Sequence, residues 1–156
     1  MCIRDSHFAL YLNERVATDE QQDAFETIID FLDGVNIVIP DDLKEYLDDV
    51  AKTIDLVDVS KKAAASVAAA IQDPEQYLKD NREMFERYKE VKASDAYKNT
   101  PGYRLQELFA QLNRENGYND VFIPAMRRLS SSYREYYEKL LKANEVFLKS
   151  YRGVRF

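Results

Sequence analysis

The chain is poor in the residues that carry most familiar chemistry. Its 156 residues include one histidine, one cysteine and no tryptophan. One cysteine excludes a disulfide scaffold. One histidine leaves almost nothing from which to build the common catalytic or zinc arrangements. Four glycines and four prolines are too few for the turns of a sandwich or barrel. No stretch of the sequence is apolar for long enough to cross a membrane as a helix. What remains is 46% hydrophobic and 32% charged, with a net charge of −6. A chain of this size buries about 70% of its unfolded surface, and this one is too apolar to be wholly disordered. The expectation is one soluble, all-helical domain.

The first six residues stand apart. Met1-Cys2-Ile3-Arg4-Asp5-Ser6, back-translated as ATG-TGT-ATA-AGA-GAC-AG, resembles the mosaic end of a transposon-based sequencing adapter read in frame. The resemblance implies that residues 1–6 are an artefact to be excluded from fold reasoning. Residues 7–156 are then a single helical-bundle domain truncated at its N-terminus. Cys2 falls away, and Arg4 and Asp5 cancel in the net charge. Any targeting segment lies out of view; the cytoplasm is slightly favoured as the compartment.

Helix punctuation is clear along the rest. Phe8, Leu12 and Val16 recur every four residues. Thr18-Asp19-Glu20-Gln21 forms a capping box, followed by the stripe Ala24, Phe25, Ile28, Ile29 and Leu32, with Gly34 as its stop. Val35–Pro40 is β-like and predicts an extended, buried connection. Leu43, Tyr46, Leu47, Val50, Ala51, Ile54 and Val57 continue the helical spacing, which weakens at Val57–Ser60. Ser60 either caps a fresh helix or the helix runs on. Residues 61–71 are alanine-rich, which favours helix and close helix contact.

Asp73-Pro74-Glu75-Gln76 is a helix start. Tyr77, Leu78, Asn81, Met84, Phe85, Tyr88 and Val91 are the expected inward face of the helix that follows. Thr100-Pro101 opens another, with the stripe Leu105, Leu108, Phe109 and Leu112, ended by Asn116-Gly117. Residues 118–123 are expected to be extended. The last helix is predicted from Ala125 to Arg152. Met126, Leu129, Tyr133, Tyr136, Leu140, Ala143 and Phe147 are spaced 3-4-3-4-3-4, a heptad seam. Tyr137, Leu141, Leu148 and Tyr151 flank it and widen the buried face. The pattern Gly, apolar link, Pro occurs at Gly34–Pro40 and again at Gly117–Pro124, which raises the question of an internal duplication.

No catalytic motif emerges. Glu83 and Glu86 lack the histidine of a di-iron pair. The acidic group Asp41, Asp42, Glu45, Asp48 and Asp49 lacks the glycine-bearing loop of a calcium site. Ser130-Ser131-Ser132 is expected inside the last helix, as small residues at a packing contact. No nucleophile elbow or phosphate loop is present. No metal or cofactor is expected.

Charge is the more informative feature. Residues 1–60 hold 4 basic and 15 acidic side chains, a balance of −11; residues 61–156 hold 18 and 13, a balance of +5. The simplest expectation is an acidic helix packed beside a basic one. A polar partner surface is the alternative, and nucleic acid is disfavoured by the acidic chain. Eleven tyrosines are the other excess. Tyr133 and Tyr136 belong to the seam and are expected in the core. Tyr137, with Arg127, Arg128 and Arg134, is the candidate face for a protein partner or small ligand.

The fold expected is all-α, a bundle of five or six helices with a long C-terminal helix. The function expected is a non-catalytic helical interaction or regulatory domain of a larger bacterial-type protein. Two alternatives stand beside it. One is the ligand-sensing C-terminal domain of a transcription factor whose DNA-binding part lies upstream. The other is an accessory helical subdomain of an enzyme.

Overall fold

The capping box at Thr18 forms as its residues predict. The Thr18 hydroxyl accepts from Gln21 N at 3.1 Å, and the Gln21 side-chain oxygen accepts from Thr18 N at 3.2 Å. Helix α1, Asp19–Gly34, follows. The computed structural model describes residues 8, 11, 12 and 15–154. The adapter-like residues 1–6 lie outside them. Among the described residues all regular structure is helical, with nine α-helices, one π-turn and no strand. After α1 come α2 (Asp41–Thr53), α3 (Leu56–Gln72), α4 (Pro74–Asp80), α5 (Arg82–Ala93), α6 (Asp95–Lys98), α7 (Pro101–Glu115), the π-turn Tyr118–Phe122, α8 (Ile123–Leu129) and α9 (Ser131–Ser150).

Nine helices replace the expected five or six because side chains that bond their own backbone interrupt long apolar patterns. The weak point near Val57–Ser60 resolves as a break at Ile54, and Asp55, not Ser60, is the cap. Its carboxylate accepts from Val57 N and Asp58 N at 3.0 and 3.1 Å. Asn81 divides the helix expected after Pro74, donating its side-chain amide to Tyr77 O at 2.9 Å. Ser94 caps the short α6 by accepting from Tyr97 N, and Thr100 caps α7 by accepting from Tyr103 N.

The long final helix is also divided. Ser130 leaves helical geometry at φ −123°, ψ 119°, and its hydroxyl accepts from Tyr133 N at 3.0 Å. The helix expected from Ala125 to Arg152 is thus α8 plus α9, and α9 has 20 residues. Ser130 is fully buried, so it acts as a cap between two helices and not as a small residue inside one. The expected extended stretch at residues 118–123 is a π-turn. Gly117 enters it at φ 73°, a left-handed conformation suited to glycine, and Phe122 N donates to Gly117 O. Residues 35–40 have no regular structure, so the two Gly-to-Pro links differ in conformation and the sequence echo has no structural counterpart. That first link is also not buried: Ile37 is 45% and Val38 74% exposed.

The chain forms two compact units, residues 1–38 with 107–138 and residues 39–106 with 139–156. The core of the first joins Phe8, Ala24, Ile28, Phe122, Ile123, Ala125, Met126, Leu129 and Tyr133. Ala24 and Ala125, both fully buried, let α1 and α8 approach closely. Gln21 fastens the same pair of helices, donating its amide to Leu129 O at 3.2 Å and so satisfying a terminal carbonyl of α8. The core of the second unit is smaller and aromatic: Ala70, Tyr77, Phe85, Ala143, Phe147 and Tyr151. Phe85 stacks on Tyr151 at 5.2 Å between centroids. The heptad seam faces inward throughout, with Met126, Leu129, Tyr133, Ala143 and Phe147 buried and Tyr136 and Leu140 half-buried.

Other stripes are only partly covered. Ile29 and Leu32 of α1 are exposed, as are Tyr46 and Ile54. Met84, Tyr88 and Val91, expected inside, lie on the surface of α5, and Leu141 and Leu148 on that of α9. Of the alanines in α3 only Ala70 is buried.

Candidate partner-binding site

The candidate residues sit on α8 and the first two turns of α9, within the first unit. Pro124 lies in the first turn of α8, where its missing N–H costs nothing. Arg127 and Arg128 occupy the last turn, where cations complement the helix dipole. Ser130 then redirects the chain and sets Tyr133, Tyr136 and Tyr137 against the core.

Tyr133 is 2% exposed and lies at the centre of an aromatic cluster. Phe8, Tyr11, Tyr136 and Tyr137 surround it with ring centroids 5.2 to 6.3 Å away. Burial pushes its hydroxyl well above the usual tyrosine range, with neighbouring tyrosines adding to the effect. Tyr136 is raised for the same reasons, burial first and then Tyr11 and Tyr118. Tyr133 is a core member, as the seam predicts, whereas Tyr136 is half-buried and packs against that core.

Tyr137 lies at the edge of this cluster. Its ring stacks on Tyr133 at 5.9 Å with an interplanar angle of 26°. The Arg127 guanidinium sits over the Tyr137 ring, 5.3 Å from its centroid. Arg127 Nη2 is also 3.6 Å from Glu138 Oε1. Ring, ring and cation form one continuous stack from the core to the surface. Such a stack fixes the guanidinium plane while leaving N–H donors free to turn outward. Arg128 and Arg134 are exposed and form no ion pair with another described residue. The structure therefore unites Arg127 with Tyr137, and it leaves Arg128 and Arg134 as separate surface cations.

Among the described residues the acidic helix α2 makes one ion pair with another helix, and that helix, α7, holds two arginines and two glutamates, so it is not the basic helix expected. Arg104 of α7 bonds Asp42 of α2, and that hydrogen bond holds the Asp42 carboxyl below its usual value. The Lys44–Asp41, Lys52–Asp49 and Lys62–Asp58 pairs are local, within single helices. Among the described residues no three acidic, histidine or cysteine side chains gather to hold a metal. No helix of the described residues is long and apolar enough to cross a membrane.

A second feature escaped the sequence reading. Thr27, Asp30, Phe31 and Gly34 line one face of α1, and with Asn116 and Val121 they border an open groove of about 330 Å³. The 3-4 spacing on α1 is visible in sequence; the approach of Asn116 is not. The groove is open to solvent, and among the described residues that line it Asp30 carries the one carboxylate.

No protein-family model, curated protein or solved structure matches the chain.

Proposed function

We propose that the chain is a non-catalytic helical interaction or regulatory domain that recognises an acidic partner surface or anionic ligand. The observation that carries this reading is the Arg127 guanidinium held over the Tyr137 ring, with Arg128 and Arg134 exposed in the adjoining turns. A pre-positioned arginine loses less freedom on pairing with a carboxylate than a free one. Arginine and tyrosine are also the side chains most often found at interface hot spots.

Screening a displayed library of acidic peptides against the chain, followed by titration calorimetry of the selected peptides, tests the proposal. Selected peptides should bind in the micromolar range or better. Arg127→Ala and the double variant Arg128→Ala/Arg134→Ala should each weaken them about tenfold or more, since one charge-assisted hydrogen bond contributes about 1.5–3 kcal/mol. Peptides that bind these variants as tightly as the parent would place recognition elsewhere. Measurable turnover of a simple substrate by the purified chain would overturn the non-catalytic reading.

A further inference from the structure

The second unit carries two exposed apolar patches with opposite charge around them. One is the corner where α2 meets α3. Ile54 is 40%, Leu56 52%, Val57 64% and Val59 38% exposed there. The segment that bears it, residues 41–58, has seven acidic side chains and two lysines, a balance of −5. The other patch is on α9, where Leu141 and Leu148 are 42% and 40% exposed and lie two turns apart on one face. Residues 139–152 hold four basic side chains and one acid, a balance of +3.

Three cations of the α9 face form no ion pair with those acids among the described residues. Among the described residues, acids of segment 41–58 pair with Lys44, Lys52, Lys62 and Arg104, none of which is on α9. Lys142, Lys149 and Arg152 are exposed and make no ion pair with a described residue. The register of α3 points the same way. Leu56, Val59, Ala63, Ser66 and Ala70 are spaced 3-4-3-4 along one line. Ala70 is buried and Ser66 half-buried, while the first three are exposed. The same stripe is covered at one end and bare at the other, which leaves its first turns open to a further apolar surface.

We propose that this surface is a second copy of the chain: the acidic, apolar α2–α3 corner of one copy docks on the basic, apolar face of α9 in another. Each copy carries both halves. Two such contacts formed at once close a two-fold dimer, and one alone propagates a string of copies. Six partly exposed side chains fall short of the roughly 800 Å² per partner of a standard interface. The association is therefore weak and strongly dependent on salt.

Sedimentation equilibrium of the full chain tests this. The mass should rise above that of the monomer with concentration, and raising salt from about 0.05 to about 0.5 M should weaken association about tenfold or more. Glu45→Lys/Asp48→Lys/Asp58→Lys turns the balance of segment 41–58 from −5 to +1 and makes both patches basic, and Lys142→Glu/Lys149→Glu turns that of residues 139–152 from +3 to −1 and makes both acidic. Each variant alone should stay monomeric, and an equimolar mixture of the two should associate again. Leu56→Ser, which leaves the charge unchanged, should weaken association by removing the most exposed leucine. Circular dichroism of each variant checks that it has folded. A wild-type chain that remains monomeric up to millimolar concentration at low salt overturns the proposal. So does association that is indifferent to either charge reversal, or a mixture of folded variants that fails to pair.

Discussion

The two units cover equally regular apolar patterns to different extents. In the first, Ala24, Ile28, Ala125 and Met126 are all fully buried, and Leu129 and Tyr133 nearly so. Helices α1 and α8 meet through small residues, and Gln21 ties their ends together. In the second, α2 buries only Leu43 and α3 only Ala70. Its core is four aromatic rings and two alanines, while Leu56, Val57, Met84, Tyr88 and Val91 face outward. The apolar spacing of α2, α3 and α5 is as regular as that of α1. Periodicity identifies which side of a helix is greasy; whether another element covers that side depends on partners distant in sequence. Burial at full packing density, and not pattern alone, should therefore decide where stability resides.

The largest expected effect is at the centre of the first core. Tyr133→Ala removes a ring that touches Phe8, Tyr11, Tyr136 and Tyr137. It should cost about 3–5 kcal/mol, the usual range for emptying a large aromatic site. Urea denaturation should show a lower midpoint, with unit 1 lost first if the units unfold separately. Tyr133→Phe keeps the ring and should cost far less. A Tyr133→Ala variant as stable as the parent would mean that the apparent core of the first unit carries little of its stability.

Alkaline pH probes the same contrast next. The hydroxyls of Tyr133 and Tyr136 are held neutral by burial, with folded values above the unfolded value near 10. A raised value means that their contribution is fully present below about pH 10 and is lost as pH climbs through the folded values. Tyr151 in the second unit is also raised, first by its hydrogen bond to Glu86 and then by burial. Stability should thus be flat through neutral pH and fall above about pH 10. Tyr133→Phe should blunt the fall, as read by circular dichroism against tyrosinate absorbance.

A smaller effect belongs to the entry of the π-turn. Gly117 has φ 73°, and a Cβ there would lie 3.1 Å from Val121 Cγ2. Gly117→Ala should destabilise by about 1–2 kcal/mol through left-handed strain and this contact. Gly34, with ordinary φ and nothing near its Cβ position, is the matched control, and Gly34→Ala should be close to neutral. Thermal melts of the two variants separate a glycine required by the backbone from one that only ends a pattern.

These pairs also show what the sequence made legible. The caps at Thr18, Asp73 and Thr100 were readable because each needs only residues within one turn. The inward seam of α8 and α9 was readable because seven positions repeat without interruption. The break at Ser130 was not, since a serine hydroxyl bonds the backbone equally well inside a helix or at its cap, and burial of the surrounding chain decides which. Asp55 and Asn81 interrupt helices for the same reason. At the candidate site, the chemistry of Arg127 and Tyr137 was legible from their neighbourhood, but their stacking required Ser130 to turn the chain. Arg128 and Arg134 share the composition and not the contact. The bare stripes of α3 and α5 were unreadable in principle: nothing in a helix's own sequence states what lies opposite it.

The smallest expected effect completes the contrast. Leu56 occupies the first turn of α3 and is 52% exposed, and Asp55 caps the helix before it. Leu56→Ser removes apolar surface that water already reaches, so stability at micromolar protein should change by no more than about 0.5 kcal/mol. Leucine and serine differ only modestly in helix propensity, and position 56 lies at the helix end where that difference counts least. A loss above about 2 kcal/mol in dilute solution would mean that the corner is covered within a single chain, and the distinction between a closed first unit and an open second one would fail at its clearest position.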